Sequence, residues 1–357
     1  MQIDFHHAVT YVLSRLAGFS ETDSEIISYS SQYVDDATVH GVVRFTNDAM
    51  YTRTSSAHRI LDLHNTSDIE NNMVWVPFHF LPGNGGFKAG IEPKGGFINK
   101  LVCTPDSFVA QDMLATCIAD RDKPYALHRL GVTIHVLADT FSHQGFAGIV
   151  HKINAVTELD YDGETKTHSF FKDFFDKIKS SFVDKVIPLG HCAAFACPDL
   201  PYLKWRYTNE LNQNIVRNNP SIFNVAVKRI FESLIKYKNN DAESVINERI
   251  SYKDFKQIKS NILSFTNENG SVRHQQWIDS ISRGEFSFGQ ENISYIPKGE
   301  GSWKYLALNS ESEKDNCRYE YSPSFLSSNW KMFHDALQKH RFEVIHDILP
   351  KYGICVS

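Results

Sequence analysis

The sequence predicts an all-α protein, a multi-helix bundle with long irregular loops and a helical or irregular C-terminal extension. Three observations predict it: apolar residues recur at a 3.6 period in several stretches, the alternation of a half-buried strand is scarce, and Gly and Pro gather in one long connecting region. At 357 residues the chain suffices for one large domain or two ordinary ones. Its character changes after Trp205, which divides it into a helical domain over 1–205 and an extension over 206–357 packed on it.

The elements follow in order. His6 to Ala17 places Val9, Val12, Leu13 and Leu16 at amphipathic spacing, and Gly18 stops the helix. Ser20 to Asp23 reads as the capped start of a second helix through Ile27, Tyr33 and Val34, which ends on the adjacent carboxylates Asp35 and Asp36. From Gly41 to Lys100 periodicity weakens and loops dominate. Within that region, Val74 to Gly83 is too apolar for a free loop and holds His79 between Phe78 and Phe80, a histidine expected to be buried and pinned. His40, His58 and His64 lie in more polar sequence and are expected at the surface or supporting other groups.

A central helix over Leu127 to Phe146, running on toward His151, is the strongest signal. After the polar stretch Thr157 to Thr167, Phe170 to Phe182 repeats aromatics at helical spacing. Residues 208–265 read as two or three amphipathic helices and 266–328 as an irregular cap. Residues 329–348 form a last helix ended by Pro350 and Gly353; His334, His340 and His346 fall at steps of six, so they spread around it as packing or surface groups.

Composition bounds function. A net charge of −5 leaves no global footprint for nucleic acid or anionic membrane. No apolar run approaches the ~20 residues of a membrane span. The start MQIDFHHAVTYVL lacks the basic region and cleavage site of a signal peptide, so a cytoplasmic protein is expected. Six cysteines without a dense framework predict reduced thiols. The distinctive count is sixteen histidines, gathered mostly in the first two hundred residues.

On the central helix His128, His135, Asp139 and His143 follow at steps of seven, four and four, which aligns three imidazoles and a carboxylate on one face. Apolar flanks bury that face, and buried polar groups need partners. A divalent cation partners several at once, and mixed His nitrogen and Asp oxygen suits zinc. Two further ligand sources stand apart in sequence: Asp4-x-His6 with His7 adjacent, and His191 with Asp199, the latter held between Pro198 and Pro201.

The stretch LHRLGVTIHVLADTFSHQGF resembles the central helix of the zinc-dependent phospholipase C and single-strand nuclease superfamily, especially its Het-C-like branch. His6 resembles that superfamily's first metal-binding histidine, Asp36 its helix-end carboxylate, and His79 in PFHFLPG its loop histidine. The resemblance covers about residues 1–205. The sequence departs from the pattern in three places: Asp139 to His143 is a step of four where six is usual, Phe195 stands where a carboxylate is expected after His191, and Met1 stands where a processed N-terminal Trp supplies an amine ligand, for which Asp4 is the substitute.

The resemblance implies two or three zinc ions and hydrolysis of a phosphoester, with phospholipid or single-stranded nucleic acid as substrate and peripheral membrane contact. It implies Asp36, His79, His135 and Asp139 on one ion, His143, His191 and Asp199 on a second, and Asp4 or His6 with a bridging Asp139 on a third. Asp36 would also take the proton of the attacking water, with Asp35 as its rival, while His7 and His128 would support the ligands. Phe78, Phe80, Phe87 and Phe97 would form an apolar rim. The alternative implied by the Het-C-like branch is a non-catalytic toxin or interaction module held together by zinc.

Overall fold

The structure, a computed structural model, describes residues 1–58, 68–161, 189–310 and 317–356. The chain opens with a π-helical turn, Asp4–Val9, that runs into α1 (Thr10–Leu16). α2 (Glu21–Asp36) is capped by Ser20, whose hydroxyl accepts the Asp23 N–H at 3.0 Å. A hairpin follows, β1 (Gly41–Phe45) and β2 (Met50–Arg53), paired antiparallel. Then come α3 (Asp68–Phe78), α4 (Ile98–Leu101), α5 (Phe108–Ala119) and α6 (Ala126–Ser142).

The second half continues with β3 (Thr157–Tyr161), a 3-10 turn at Cys197–Asp199, β4 (Lys204–Thr208) and β5 (Asn214–Asn218). α7 (Asn219–Asn239), α8 (Tyr252–Ser264), α9 (Gly270–Ser282) and α10 (Trp303–Leu308) lead to a short β6 (Arg318–Tyr319) and to α11 (Asn329–Phe342).

α6 is buried at every position except Leu127. A helix covered on all sides needs neighbours that can come close, and Gly131 provides for the nearest one. A Cβ there would strike the Ile27 carbonyl and the Ser30 side chain of α2. The main core joins Phe5, Val12 and Ile27 to Leu130, Ile134 and Leu137 of α6 and to Phe223, Ile230 and Leu234 of α7. A second cluster places Tyr33, Val34 and Val132 against Trp303, Trp330, Phe333 and Leu337. Residues on both sides of position 205 thus share the same cores, and that position falls inside β4.

The all-α expectation is corrected: among the described residues there are two three-stranded sheets, ordered β2-β1-β6 and β3-β4-β5, so the fold is mixed α/β. The strands escape a periodicity search because they are short. KWRYT alternates cleanly, with Trp205 and Tyr207 inward and Lys204 and Arg206 outward, but over five residues only. β1 pairs in parallel with β6 from the far end of the chain, a contact that no local pattern announces.

Other expectations shift as well. The central helix ends at Ser142 rather than running toward His151. The expected irregular cap holds α9 and α10. Phe78 and Phe80 are buried and cannot form a rim, whereas Phe87 and Phe97 are 45% and 49% exposed. His64 and the aromatic stretch Phe170 to Phe182 lie outside the described residues.

Candidate metal centre

α6 brings His135, Asp139 and His143 to one side, as its period requires, and four other segments converge on them. His6 comes from the opening π-helical turn, Asp35 from the end of α2, His79 from just beyond α3, and His191 and Asp199 from the loop ahead of β4. Among the described residues three groups have potential ligand atoms all within 4.8 Å of one another: His6 with Asp35 and His135, His79 with His135 and Asp139, and His143 with His191 and Asp199.

Backbone carbonyls set the ring orientations. His135 Nδ1 lies 2.7 Å from the Ser31 oxygen, His79 Nε2 2.9 Å from that of Ser56, His143 Nδ1 2.8 Å from that of His79, and His191 Nδ1 2.9 Å from that of Phe195. A carbonyl only accepts, so each of these nitrogens donates and the other nitrogen of each ring is left to face inward. His79 Nδ1 and His135 Nε2 then meet at 3.3 Å, two lone pairs in the neutral ring forms, with Asp139 Oδ2 at 3.2 and 3.3 Å from them. A cation between them turns that repulsion into bonding. His143 Nε2 and His191 Nε2 similarly straddle Asp199, at 3.2 and 3.4 Å.

His6 carries the same sign. It is fully buried, and neither ring nitrogen has a hydrogen-bond partner, although Nε2 lies 3.2 Å from Asp139 Oδ1. Buried orphaned nitrogens are costly, and a metal would satisfy one of them.

Electrostatics agree with a cation-binding pocket. Burial, with His135 and the Met1 amine beside it, pushes the His6 imidazole well below its ordinary pKa; burial also lowers His135 and His191 to about 4, so all three rings are neutral donors near pH 7. Burial alone would raise the Asp139 carboxyl, yet His143, the Met1 amine and His135 hold it well below the usual range. Asp199 is lowered likewise, against its burial, by the amine and His191. Asp35 goes the other way, raised well above the usual range by burial and by Asp139. The Met1 amine sits 2.5 Å from Asp139 and 3.1 Å from Asp199; burial works against its charge, but the carboxylates raise it to about 11.

The DUF6765 family model, that of a family of unknown function, matches residues 1–348. The chain belongs to that family. No curated protein and no solved structure matches it. In this DUF6765 member the matched region takes in α7 to α11 as well as the segments that carry the His and Asp cluster. Among the described residues no helix is long and apolar enough to cross a membrane.

The structure brings together His6, His79, His135, Asp139, His143, His191 and Asp199, and it turns four expected groups away. Asp4 is bound to Arg273 by two contacts, at 2.7 and 3.0 Å, because the π-helical turn points it toward α9, and the Met1 amine lies where Asp4 was expected to substitute. Asp36 accepts from Tyr295 at 2.6 Å and Gln32 at 3.1 Å, so it is Asp35 that faces the histidines, 3.8 Å from both His79 and His135. One residue of helix is a rotation of 100°, enough to decide between neighbours. His7 pairs with His274 at 2.9 Å, and His128 with Asn329 at 3.0 Å beneath Trp303. Neither touches a ligand.

Sequence reasoning missed the supports of this DUF6765 member's site. Gly190 takes φ +54° and packs where the Phe80 ring would meet a Cβ, so His191 can approach closely. Phe195 takes φ 54°, rare for an aromatic, and its carbonyl fixes the His191 ring through Nδ1. Asn219 donates to the carbonyls of Cys197 at 2.7 Å and Leu200 at 2.8 Å, clamping the turn that presents Asp199. Arg217 caps the end of α6 through the Ser142 and Gln144 carbonyls, at 2.9 and 2.8 Å. Only Pro220, marking the start of α7, hinted that Asn219 would sit at a helix end.

Proposed function

We propose that the protein is a zinc-dependent phosphoester hydrolase with two or three ions on α6, in keeping with its resemblance to the phospholipase C and single-strand nuclease superfamily. The observation that carries this is the pair of inward nitrogens of His79 and His135, 3.3 Å apart with their outer nitrogens already committed to carbonyls. In this reading His79, His135 and Asp139 hold one ion, His143, His191 and Asp199 a second, and His6 with Asp35 and the shared His135 or Asp139 a third. Bound zinc would supply a water of lowered pKa and charge stabilisation for a phosphoryl oxygen.

The chain's own residues do the rest. Carbonyls of Ser31, Ser56, His79 and Phe195 keep four rings in one tautomer. Asp139, whose two oxygens face His6 and His79 separately, ties neighbouring ligand groups together. Of the three carboxylates in the cluster Asp35 is the most accessible, its side chain 33% against 1% for Asp139 and 11% for Asp199, so it can meet a substrate water and accept its proton.

The test is elemental analysis of purified protein followed by a turnover screen. We expect about two or three zinc ions per chain and cleavage of a chromogenic phosphodiester, a phospholipid or single-stranded DNA. Bound zinc without turnover on any phosphoester would favour a non-catalytic, zinc-held interaction module instead, and protein without metal after zinc loading would defeat both.

A further inference from the structure

Away from the His and Asp cluster, a trough runs along the outer side of α7. One stretch of it, a groove of about 410 Å³, is lined by Val225 and Lys228 of α7, by Phe255, Lys259 and Leu263 of α8, and by Lys204. The next stretch, of about 530 Å³, shares Val225 and Lys228 and adds Val245, Ile246 and Arg249 from the segment that joins the two helices. On α7 the lining residues Ser221, Val225, Lys228, Glu232 and Lys236 recur at steps of four, three, four and four. They form one stripe about 22 Å long at 1.5 Å per residue, the length of a four-turn helix laid beside it.

The trough combines one sign of charge with aliphatic surface. Lys204, Lys228, Lys236, Lys259, Arg229 and Arg249 are its cations, and Glu232, the one acid among the described lining residues, is tied to Arg229 at 2.8 Å. In a chain with 42 acidic and 37 basic residues, that is a local excess of positive charge. Lys204, Lys259 and Arg249 meet no carboxylate among the described residues. Between the cations, Val225 and Leu263 are each 48% exposed and Val245 is 85% exposed.

We propose that this trough docks an acidic amphipathic helix of a partner protein, with aliphatic side chains seated on Val225, Leu263 and Val245 and Asp or Glu flanking them toward the lysines and arginines. Charge complementarity and shape together select that occupant. An extended polyanion would pair with the cations but leave the aliphatic residues in water, and a flat surface would leave the trough empty. A helix lies in a groove, covers the apolar residues with one face and meets the cations with its edges. Tyr252, 83% exposed at the start of α8, is an aromatic face on which a base could stack, so the test sets a nucleic acid against the helix. The inference is independent of the chemistry of the metal centre, none of whose residues lines the trough.

The experiment is fluorescence anisotropy of the full chain with a labelled synthetic peptide of about 18 residues, five turns of helix, carrying Leu along one face and Glu on its flanks. Saturable binding that weakens as salt rises is expected. Lys259→Glu should weaken it about fivefold and Lys228→Glu with Lys259→Glu on the order of twenty-five-fold, while Val225→Ser should cost about three- to fivefold through lost apolar contact. Lys123→Glu, at an exposed lysine outside the trough, should leave it unchanged. Both trough lysines are exposed, and circular dichroism melting separates lost binding from lost fold. Hydrogen exchange reads the wild type directly: added peptide should protect α7 and residues 244–263, and protection elsewhere alone overturns the proposal. So does no binding, equal affinity for the same peptide with Ser in place of Leu, or no effect of the double variant. An oligothymidylate or a phosphatidylserine vesicle that displaces the peptide and is held more tightly, through the same two lysines, overturns it in favour of that ligand.

Discussion

Asp35 and Asp36 show how much one position on a helix decides. Tyr295 and Gln32 occupy the Asp36 carboxylate, whereas Asp35 faces His79 and His135. Asp35→Asn should therefore lower turnover about a hundredfold or more, since an amide cannot accept the water's proton, while Asp36→Asn should leave the rate within a few-fold; assays on whichever phosphoester is cleaved compare them, and the reverse order would return the role to Asp36. Asp139 faces His6 with one oxygen and His79 with the other. Asp139→Ala should strip most of the bound metal, while His151→Ala, whose ring accepts the Ile153 N–H outside the cluster, should keep it. Equal zinc content in the two purified variants would refute the ligand assignment.

At the scale of elements, the α2–α6 contact controls the site. Gly131 lies where a methyl group would press on Ile27 and Ser30, and the next residue of α2, Ser31, holds His135 through its carbonyl. Gly131→Ala should cost about 1–3 kcal/mol in urea unfolding through overpacking. It should also weaken zinc affinity, because pushing α2 away moves the acceptor that orients His135. A stability loss with unchanged zinc affinity would show that α2 and the ligand face move independently.

Across the whole molecule, buried neutral histidines tie distant segments together. His334 of α11 meets the Thr54 carbonyl at 3.0 Å, and burial, with Arg53 and Lys304 nearby, lowers its pKa to about 3. His128 meets Asn329 at 3.0 Å, and burial lowers it to about 4. Each folded value lies below the unfolded one near 6.5, so between them the unfolded chain binds the extra proton and stability falls as pH falls. The slope approaches about 1.4 kcal/mol per pH unit for each group below the unfolded pKa and is half that at it, so from pH 6.5 to pH 5 the two together should remove about 3 kcal/mol. Urea unfolding at several pH values measures this, and replacing His334 with Asn should flatten the dependence. A pH-independent stability over that window would contradict both shifts.

The sequence by itself determined what repeats locally. The 3.6-residue period of α6 places His135, Asp139 and His143 on one face whatever surrounds them, Ser20 and the second helix follow from capping chemistry, and the concentration of histidines in the first two hundred residues is a property of the chain alone. Tertiary structure decided everything that depends on partners far along the chain: Asp35 over Asp36 through Tyr295, Asp4 drawn off to Arg273, the β1–β2 hairpin extended by β6, and Asn219 and Arg217 holding the turn before Asp199 and the end of α6. The reason is physical. Periodicity and caps are set by neighbours within a few residues, whereas a short strand or a single carboxylate is committed only by the long-range pairing energy that closes hundreds of residues of chain.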